Sequence, residues 1–412
     1  MRPLTSPINT PMKKILLCLL SVLTMSATAG EEILPWQLFR ELAATESGNL
    51  TFSPACVENC LKLIARGTDG ATRAELEAIP YGQDYNKVNM EPHAATALFI
   101  ASHLPSTKGK ANGVHRLPFA TQAEKCTKAI NRWASKQTKG HIPQLLDAGV
   151  VNRETALACA SALFMQEEWL NHFSDTEEEY PFTTGDGKQI PVPMMIQEEK
   201  LHIRYAEGEG WQAVLLPVDG NVDKRQTHIR GAFVAIRPEG DVRQFAKQLT
   251  PEILKKICVG LAQPVIHTDK EKGIQHEHYT TLKLPRFKTT TPQALNLKPA
   301  LQKLGIRKIF QPGADFSGYT SAPVFMDTFI QKVHIDVNES GFSASSCSWL
   351  SGPLGIPPDK IKKHYHIITF DKPFIYFIGS PDYRITPFFM GICETPEISH
   401  TAKVSKPEQH PQ

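Results

Sequence analysis

This chain has only one long apolar run, and it lies near the N-terminus. Ile15 to Met25 is largely apolar, follows Met12-Lys13-Lys14 and precedes Ala27-Thr28-Ala29. A positive start, a short apolar centre and an A-x-A site read as an export signal over residues 1–29, with Met12 as the expected start and cleavage after Ala29. The run is too short to span a bilayer. The mature protein is therefore expected to be secreted or periplasmic and not embedded in a membrane; the short lysine-led signal suits a bacterium. Cysteine is scarce and irregularly spaced. Eight are present, and losing Cys18 with the signal leaves seven: Cys56, Cys60, Cys126, Cys159, Cys258, Cys347 and Cys393. An odd number at irregular spacing excludes a disulfide framework, so these read as small buried thiols.

A dominant charge is also missing. Lys plus Arg number 45 and Asp plus Glu 42, a net charge of +3. The basic residues are scattered, which gives no case for a nucleic-acid partner. Catalytic motifs are absent too. No G-x-S-x-G elbow, H-E-x-x-H helix, P-loop or G-x-G-x-x-G opens any segment, so neither an enzyme nor a bound cofactor is expected. The fifteen histidines are spread out. His364 and His366 fall on the same side of any strand that holds them, yet no third ligand is near in sequence, and they read as surface residues.

What is present is a chain long enough for a large core, without repeats or low-complexity linkers. Helical spacing marks Gln37 to Thr45, a helix opening at Ser53-Pro54, Thr72 to Ile79 with Thr68 or Thr72 as its cap, Ala123 to Thr138, and Lys298 to Leu304 ending at Gly305. Strand patterns mark Ala156 to Gln166, Gln212 to Leu216, Gly231 to Ile236, Thr280 to Leu284, Val324 to Ile330 and Val333 to Val337. Phe374 to Ile378 and Phe388 to Met390 are near-continuously apolar and read as central strands. Residues 80–118 are the least legible stretch. Helices first and strands later indicate one α+β domain over residues 30–398, followed by a polar tail at 399–412.

The segment from Ile335 to Phe377 carries a further absence. From Ser340 to Pro358 there is no charged residue, whereas surface loops of ordinary composition carry several. Small residues fill it: Ser343-Ala344-Ser345-Ser346-Cys347-Ser348, then Gly352-Pro353-Leu354-Gly355-Ile356-Pro357-Pro358. A long loop in a compact domain is usually functional or disordered. This one is suited to becoming a strand.

Several motifs, in order, give the chain a resemblance to the serpin family. They are Phe52-Ser53-Pro54; Phe164 through Trp169 to Phe173; Val192-Pro193-Met194-Met195; Leu284-Pro285-Arg286-Phe287; Leu301-Gln302-Lys303-Leu304-Gly305; Gly313-Ala314-Asp315-Phe316-Ser317-Gly318; Asp336-Val337-Asn338-Glu339 with Gly341; Lys372-Pro373-Phe374; and Phe389-Met390-Gly391. The resemblance implies an α+β fold of roughly nine helices around three sheets, with an exposed reactive loop near residues 341–362. It also implies a suicide-substrate mechanism. A serine or papain-like cysteine protease cleaves the loop, and the cut loop inserts into the central sheet. The alternative is a serpin-type binding module or chaperone that does not inhibit.

The resemblance assigns Glu339, Gly341, Phe342, Ala344 and Ser346 to the hinge, and Trp169, Ser53, Ser161 and Gln331 to the breach and shutter. In the family register Phe342, Ala344, Ser346, Ser348, Leu350 and Leu354 point inward, and none is charged. Phe342 stands where inhibitory members have Thr or Ser, and its bulk is expected to slow insertion. Ser161 and Gln331 stand where the family pairs an Asn with a His; a hydroxyl and an amide can still hydrogen-bond. The loop is longer than usual and gives two registers for the cleaved bond. Counting from Glu339 gives Gly355-Ile356, for an elastase-, subtilisin- or papain-like protease. Counting back from Phe370 gives Lys362-Lys363, for a trypsin-like one. The first is preferred, because the hinge-to-cleavage length sets how far a strand inserts, while extra distal slack costs little. The lysines otherwise read as a solvated strand. A monomer is expected.

Overall fold

A computed structural model of the chain describes residues 32–82, 93–107, 111–164, 169, 172–174, 178–219, 229–290, 294–339, 358–379 and 387–397. Seven α-helices form among these residues, against the nine expected: α1 (Leu34–Thr45), α2 (Pro54–Ala65), α3 (Gly70–Glu77), α4 (Phe119–Gln137), α5 (Val242–Lys247), α6 (Pro251–Leu261) and α7 (Lys298–Lys303). Local chemistry sets their ends. Ser53 caps α2 by accepting the Cys56 N–H at 3.2 Å, with Pro54 in the first turn. The cap of α3 is Asp69, not Thr68 or Thr72; its carboxylate accepts the Gly70 N–H at 2.8 Å. Beyond α7 the chain turns at Gly305, whose φ of 97° suits glycine.

The strands among the described residues form three sheets. The central one runs β12 (Phe287–Thr290), β14 (Met326–Val337), β4 (Leu157–Phe164), β2 (His93–Ala101), β3 (Val114–Leu117), with β13 (Leu295–Asn296) also on β14. A second runs β1 (Leu50–Phe52), β17 (Pro387–Cys393), β16 (Phe374–Gly379), β9 (Ile229–Pro238), β8 (Trp211–Asp219), β7 (Arg204–Gly208). The third runs β10 (Ile266–Asp269), β11 (Ile274–Pro285), β6 (Gln189–Lys200), β5 (Glu179–Thr183), with β15 (Ile361–Thr369) parallel to β11. The two expected strands at Val324–Ile330 and Val333–Val337 are one continuous strand, β14. The illegible stretch at 80–118 contains β2 and β3, and β2 pairs with β4 along its length.

The central sheet separates two packed layers. On one face Ala97, Phe99, Ala158, Ala160, Ala162 and Ile330 meet Phe119, Cys126, Ile130 and Ala134 of α4. On the other, Leu98, Ile100, Leu157 and Cys159 join Cys60, Leu61 and Ile64 of α2. Near the C-terminal end of β14, Val333, Ile335 and Val337 pack with Trp169 and residues of the other two sheets. Burial on both faces explains why β4, buried at every position, reads as an apolar run with little alternation.

Candidate functional site

The centre of the molecule is the junction between β14 and β4. These strands run parallel, in one register from Thr328↔Ala158 to His334↔Phe164, with a bulge between Met326 and Thr328. Their outer partners, β12 on β14 and β2 on β4, are antiparallel. A parallel pair inside a mostly antiparallel sheet leaves room, topologically, for one more strand. A chain that leaves the C-terminal end of β14 and folds back runs antiparallel to both β14 and β4, and antiparallel ladders are slightly more stable per residue than parallel ones.

Side chains lock this junction at mid-height. The Gln331 Oε1 accepts the Ser53 N–H at 2.7 Å, and its Nε2 donates to the Ser53 carbonyl at 3.0 Å and to the Ser161 hydroxyl at 3.2 Å. All three residues are buried. The amide thus ties β14 to β4 and to the start of α2, the compensation expected from the sequence. Beside them, burial pushes the Cys56 thiol up to about 12, which keeps it protonated and inert. A second polar cluster lies nearby, and sequence reasoning missed it. The hydroxyls of Thr51, Thr289 and Tyr376 form a closed triangle with sides of 2.7, 2.6 and 3.0 Å, linking the central and second sheets.

The C-terminal end of β14 is held separately. Trp169 donates its indole N–H to the Asn338 carbonyl at 2.8 Å and packs edge-on against Phe173 and Phe233. The Phe173 N–H donates to the Glu339 carbonyl at 2.9 Å. The Glu339 carboxylate pairs with the Arg286 guanidinium, both side chains 14% exposed. Arg286 is fixed in turn by its own N–H to the Pro193 carbonyl at 2.9 Å. Arg286 belongs to the Leu284–Phe287 motif, but its partner is distant in sequence and no local signal names it.

Of the expected site residues, the structure brings Ser53, Ser161 and Gln331 together in one cluster, and Trp169 and Glu339 in another. Gly341, Phe342, Ala344, Ser346, Gly355 and Ile356 lie outside the described residues. Lys362 and Lys363 are not in a loop. They fall in β15, opposite His276 and Glu277 of β11, with exposed side chains. The expected loop therefore ends before Ile361, and the interval up to Phe370 is mostly strand. This is the solvated strand that the sequence offered as the alternative for the lysines, with His364 and His366 half-buried beside them.

A family model described as serpin (serine protease inhibitor) matches residues 106–396. A leukocyte elastase inhibitor from Xenopus tropicalis is 26% identical over 349 residues, 76% of this chain and 86% of the relative. Plasminogen activator inhibitor 1 from Neovison vison is 27% identical over 375 residues, 83% of this chain and 86% of the relative. Among solved structures, Serpin48 of the insect Tenebrio molitor, described as a highly specific serpin, superposes with a TM-score of 0.67. It has 20% identity, over 88% of this chain and 96% of that one. The relatives are animal proteins, and the bacterial source that the leader suited is not borne out. The chain belongs to the serpin family and is a protease inhibitor, not an enzyme.

Proposed function

We propose that the protein is a suicide-substrate inhibitor that traps an elastase-, subtilisin- or papain-like protease at Gly355-Ile356. The observation that carries this reading is the parallel β14–β4 junction, set beside a charge-free segment tethered at both ends. The segment leaves β14 in the central sheet and rejoins the fold at β15 in the third sheet. On this reading the two tethers oppose insertion until the segment is cut. Attack on the Gly355 carbonyl breaks the bond to Ile356 and leaves the protease esterified, or thioesterified, to the strand leaving β14. That strand is then free to fill the junction and carry the protease with it. Insertion must outrun deacylation, so the uncleaved state is a kinetically held one. The absence of charge from Ser340 to Pro358 supports insertion, since an unpaired buried charge costs several kcal/mol.

The other register is less favoured, because Lys362-Lys363 would have to leave the β15–β11 ladder before a protease could bind it extended. The leader at residues 1–29 supports an exported inhibitor that meets its protease outside the cytoplasm. One feature favours a second reading. The bulk of Phe342 at the first inserted hinge position would slow insertion, and a slow inserter is only a substrate or a binding module.

The test is incubation of residues 30–412 with elastase-, subtilisin-, papain- and trypsin-like proteases, followed by denaturing gels, residual activity and the mass of the released C-terminal peptide. A covalent complex and a peptide beginning at Ile356 are expected. Ala344→Arg should turn that complex into clean cleavage without loss of native fold, and Phe342→Thr should raise the trapped fraction. Complete cleavage with full protease activity remaining would transfer the protein to the second reading.

A further inference from the structure

Five histidines scattered in sequence come together on one face of the third sheet. His276 and His278 sit two apart on β11, His364 and His366 two apart on β15, and His267 on β10 opposite His276. The His276 Nδ1 lies 2.9 Å from the His364 Nε2, and the His278 Nδ1 lies 3.0 Å from the His366 Nε2. The rings form a continuous stack. His267 lies over His276 and His278 at 4.9 and 5.6 Å, and His278 lies over His364 and His366 at 4.7 and 5.3 Å. His364 and His366 lacked partners in sequence; the sheet supplies them.

Among the described residues no group of three or more His, Cys, Asp or Glu side chains has the geometry to hold a metal ion. The facing nitrogens of each pair instead share a proton. One imidazole donates N–H and the other accepts, which requires that at least one facing nitrogen be unprotonated. When both rings are imidazolium, two donors and two like charges face each other across the same short gap. The neighbours do little to offset this. Lys362 of β15 adds a positive charge beside His276, and Asp269 of β10 opposes it. From β7, Tyr205 stacks on His366 at 4.6 Å and Glu207 favours its protonated form. Five imidazoles and one lysine thus face two carboxylates, of which Asp269 is also paired with Lys272 at 3.6 Å.

We infer that this cluster is a proton-sensitive clasp that holds β15 on β11 at neutral pH and releases it on acidification. Burial, then the neighbouring imidazoles, lowers His278 from the ordinary 6.5 to about 4, and burial also lowers His276 and His366. A depressed histidine binds protons more readily in the opened state, so the clasp is fully closed above pH 6.5. It weakens as pH falls toward the folded value near 4. Among the described residues β15 is an edge strand; it starts at Ile361, with two residues between it and the charge-free segment that ends at Pro358, so its release frees the distal tether. The clasp does not depend on the inhibitor reading; only its consequence for the loop does.

Overall stability is a poor readout, because burial also lowers His202 and His334 to about 4. The test is hydrogen exchange of the amides of residues 362–367, corrected for intrinsic rates, with β4 and β14 as internal references. Protection in β15 should fall about tenfold or more between pH 6 and pH 5, while β4 and β14 hold. His276→Gln/His278→Gln and His364→Gln/His366→Gln should each abolish that step. A second measurement needs no variant: NMR titration of the wild-type imidazoles should show His278 charging well below free histidine. Unchanged β15 protection across the range, a step that persists in either double variant, or five independent titrations near the ordinary value would overturn the clasp.

Discussion

Gln331 satisfies both polar groups of one backbone residue. It accepts from the Ser53 N–H and donates to the Ser53 carbonyl while also reaching Ser161. Truncating it leaves the buried Ser53 N–H without a partner, at about 1–3 kcal/mol, while the Ser53 carbonyl keeps the Val57 N–H at 3.2 Å. Gln331→Ala should therefore lower unfolding stability by about 1–3 kcal/mol in urea titrations. A midpoint unchanged from wild type would show that water takes the place of the amide. Cys56, next to this cluster, is not the source of the effect. Its buried thiol is held protonated, and Cys56→Ser changes little of the polar network.

At the scale of elements, the C-terminal end of β14 depends on three long-range contacts: Trp169 to Asn338, Phe173 to Glu339, and Arg286 to Glu339. Arg286→Gln removes the charge while keeping a donor. It should raise amide exchange at the end of β14 several-fold, a loss of about 1 kcal/mol, and leave β16 and β17 untouched. Equal exchange in the two proteins would mean that the Trp169 and Phe173 contacts suffice to fix the strand. Much of this region was legible in the sequence. The Ser53-Pro54 cap, the alternation of β14 and the apolar runs of β16 and β17 all carry local signals, and the motif order placed Ser161 opposite Gln331. Other elements left no such trace. β2 lies in a stretch rich in small residues, where β4 pairs with it along its whole length and supplies the order that local propensity lacks. β15 alternates lysine, histidine and tyrosine because its inward face meets other imidazoles at one end and the core only at Ile368. Arg286 and Glu339 meet only through tertiary structure, as do Thr51, Thr289 and Tyr376.

At the scale of the whole molecule, the inhibitor reading makes cleavage a stabilising event. Cutting a loop ordinarily lowers or leaves unchanged the melting temperature, because it adds chain ends and removes a constraint. Here a cut within residues 340–357 should raise the melting temperature by ~10 °C or more, since one new strand adds ladder bonds on both sides and buries an apolar face. Calorimetry before and after limited proteolysis measures this directly. A melting temperature that stays level or falls would show that the cut segment remains outside the sheet.

The face of β4 turned toward α4 offers Ala158, Ala160 and Ala162, each almost fully buried. Admitting a strand widens a sheet by about 4.8 Å, so whatever rests on that sheet must travel. Large interlocking side chains would have to climb out of their sockets before anything moved. Three methyl groups in a row present shallow relief, and a helix crosses them with little rise in energy. On the inhibitor reading, these alanines would give the helix a low-friction stretch beside the bulkier Phe99–Trp133 contact. The race against deacylation would then, on the same reading, be governed partly by side chains far in sequence from the cleaved bond.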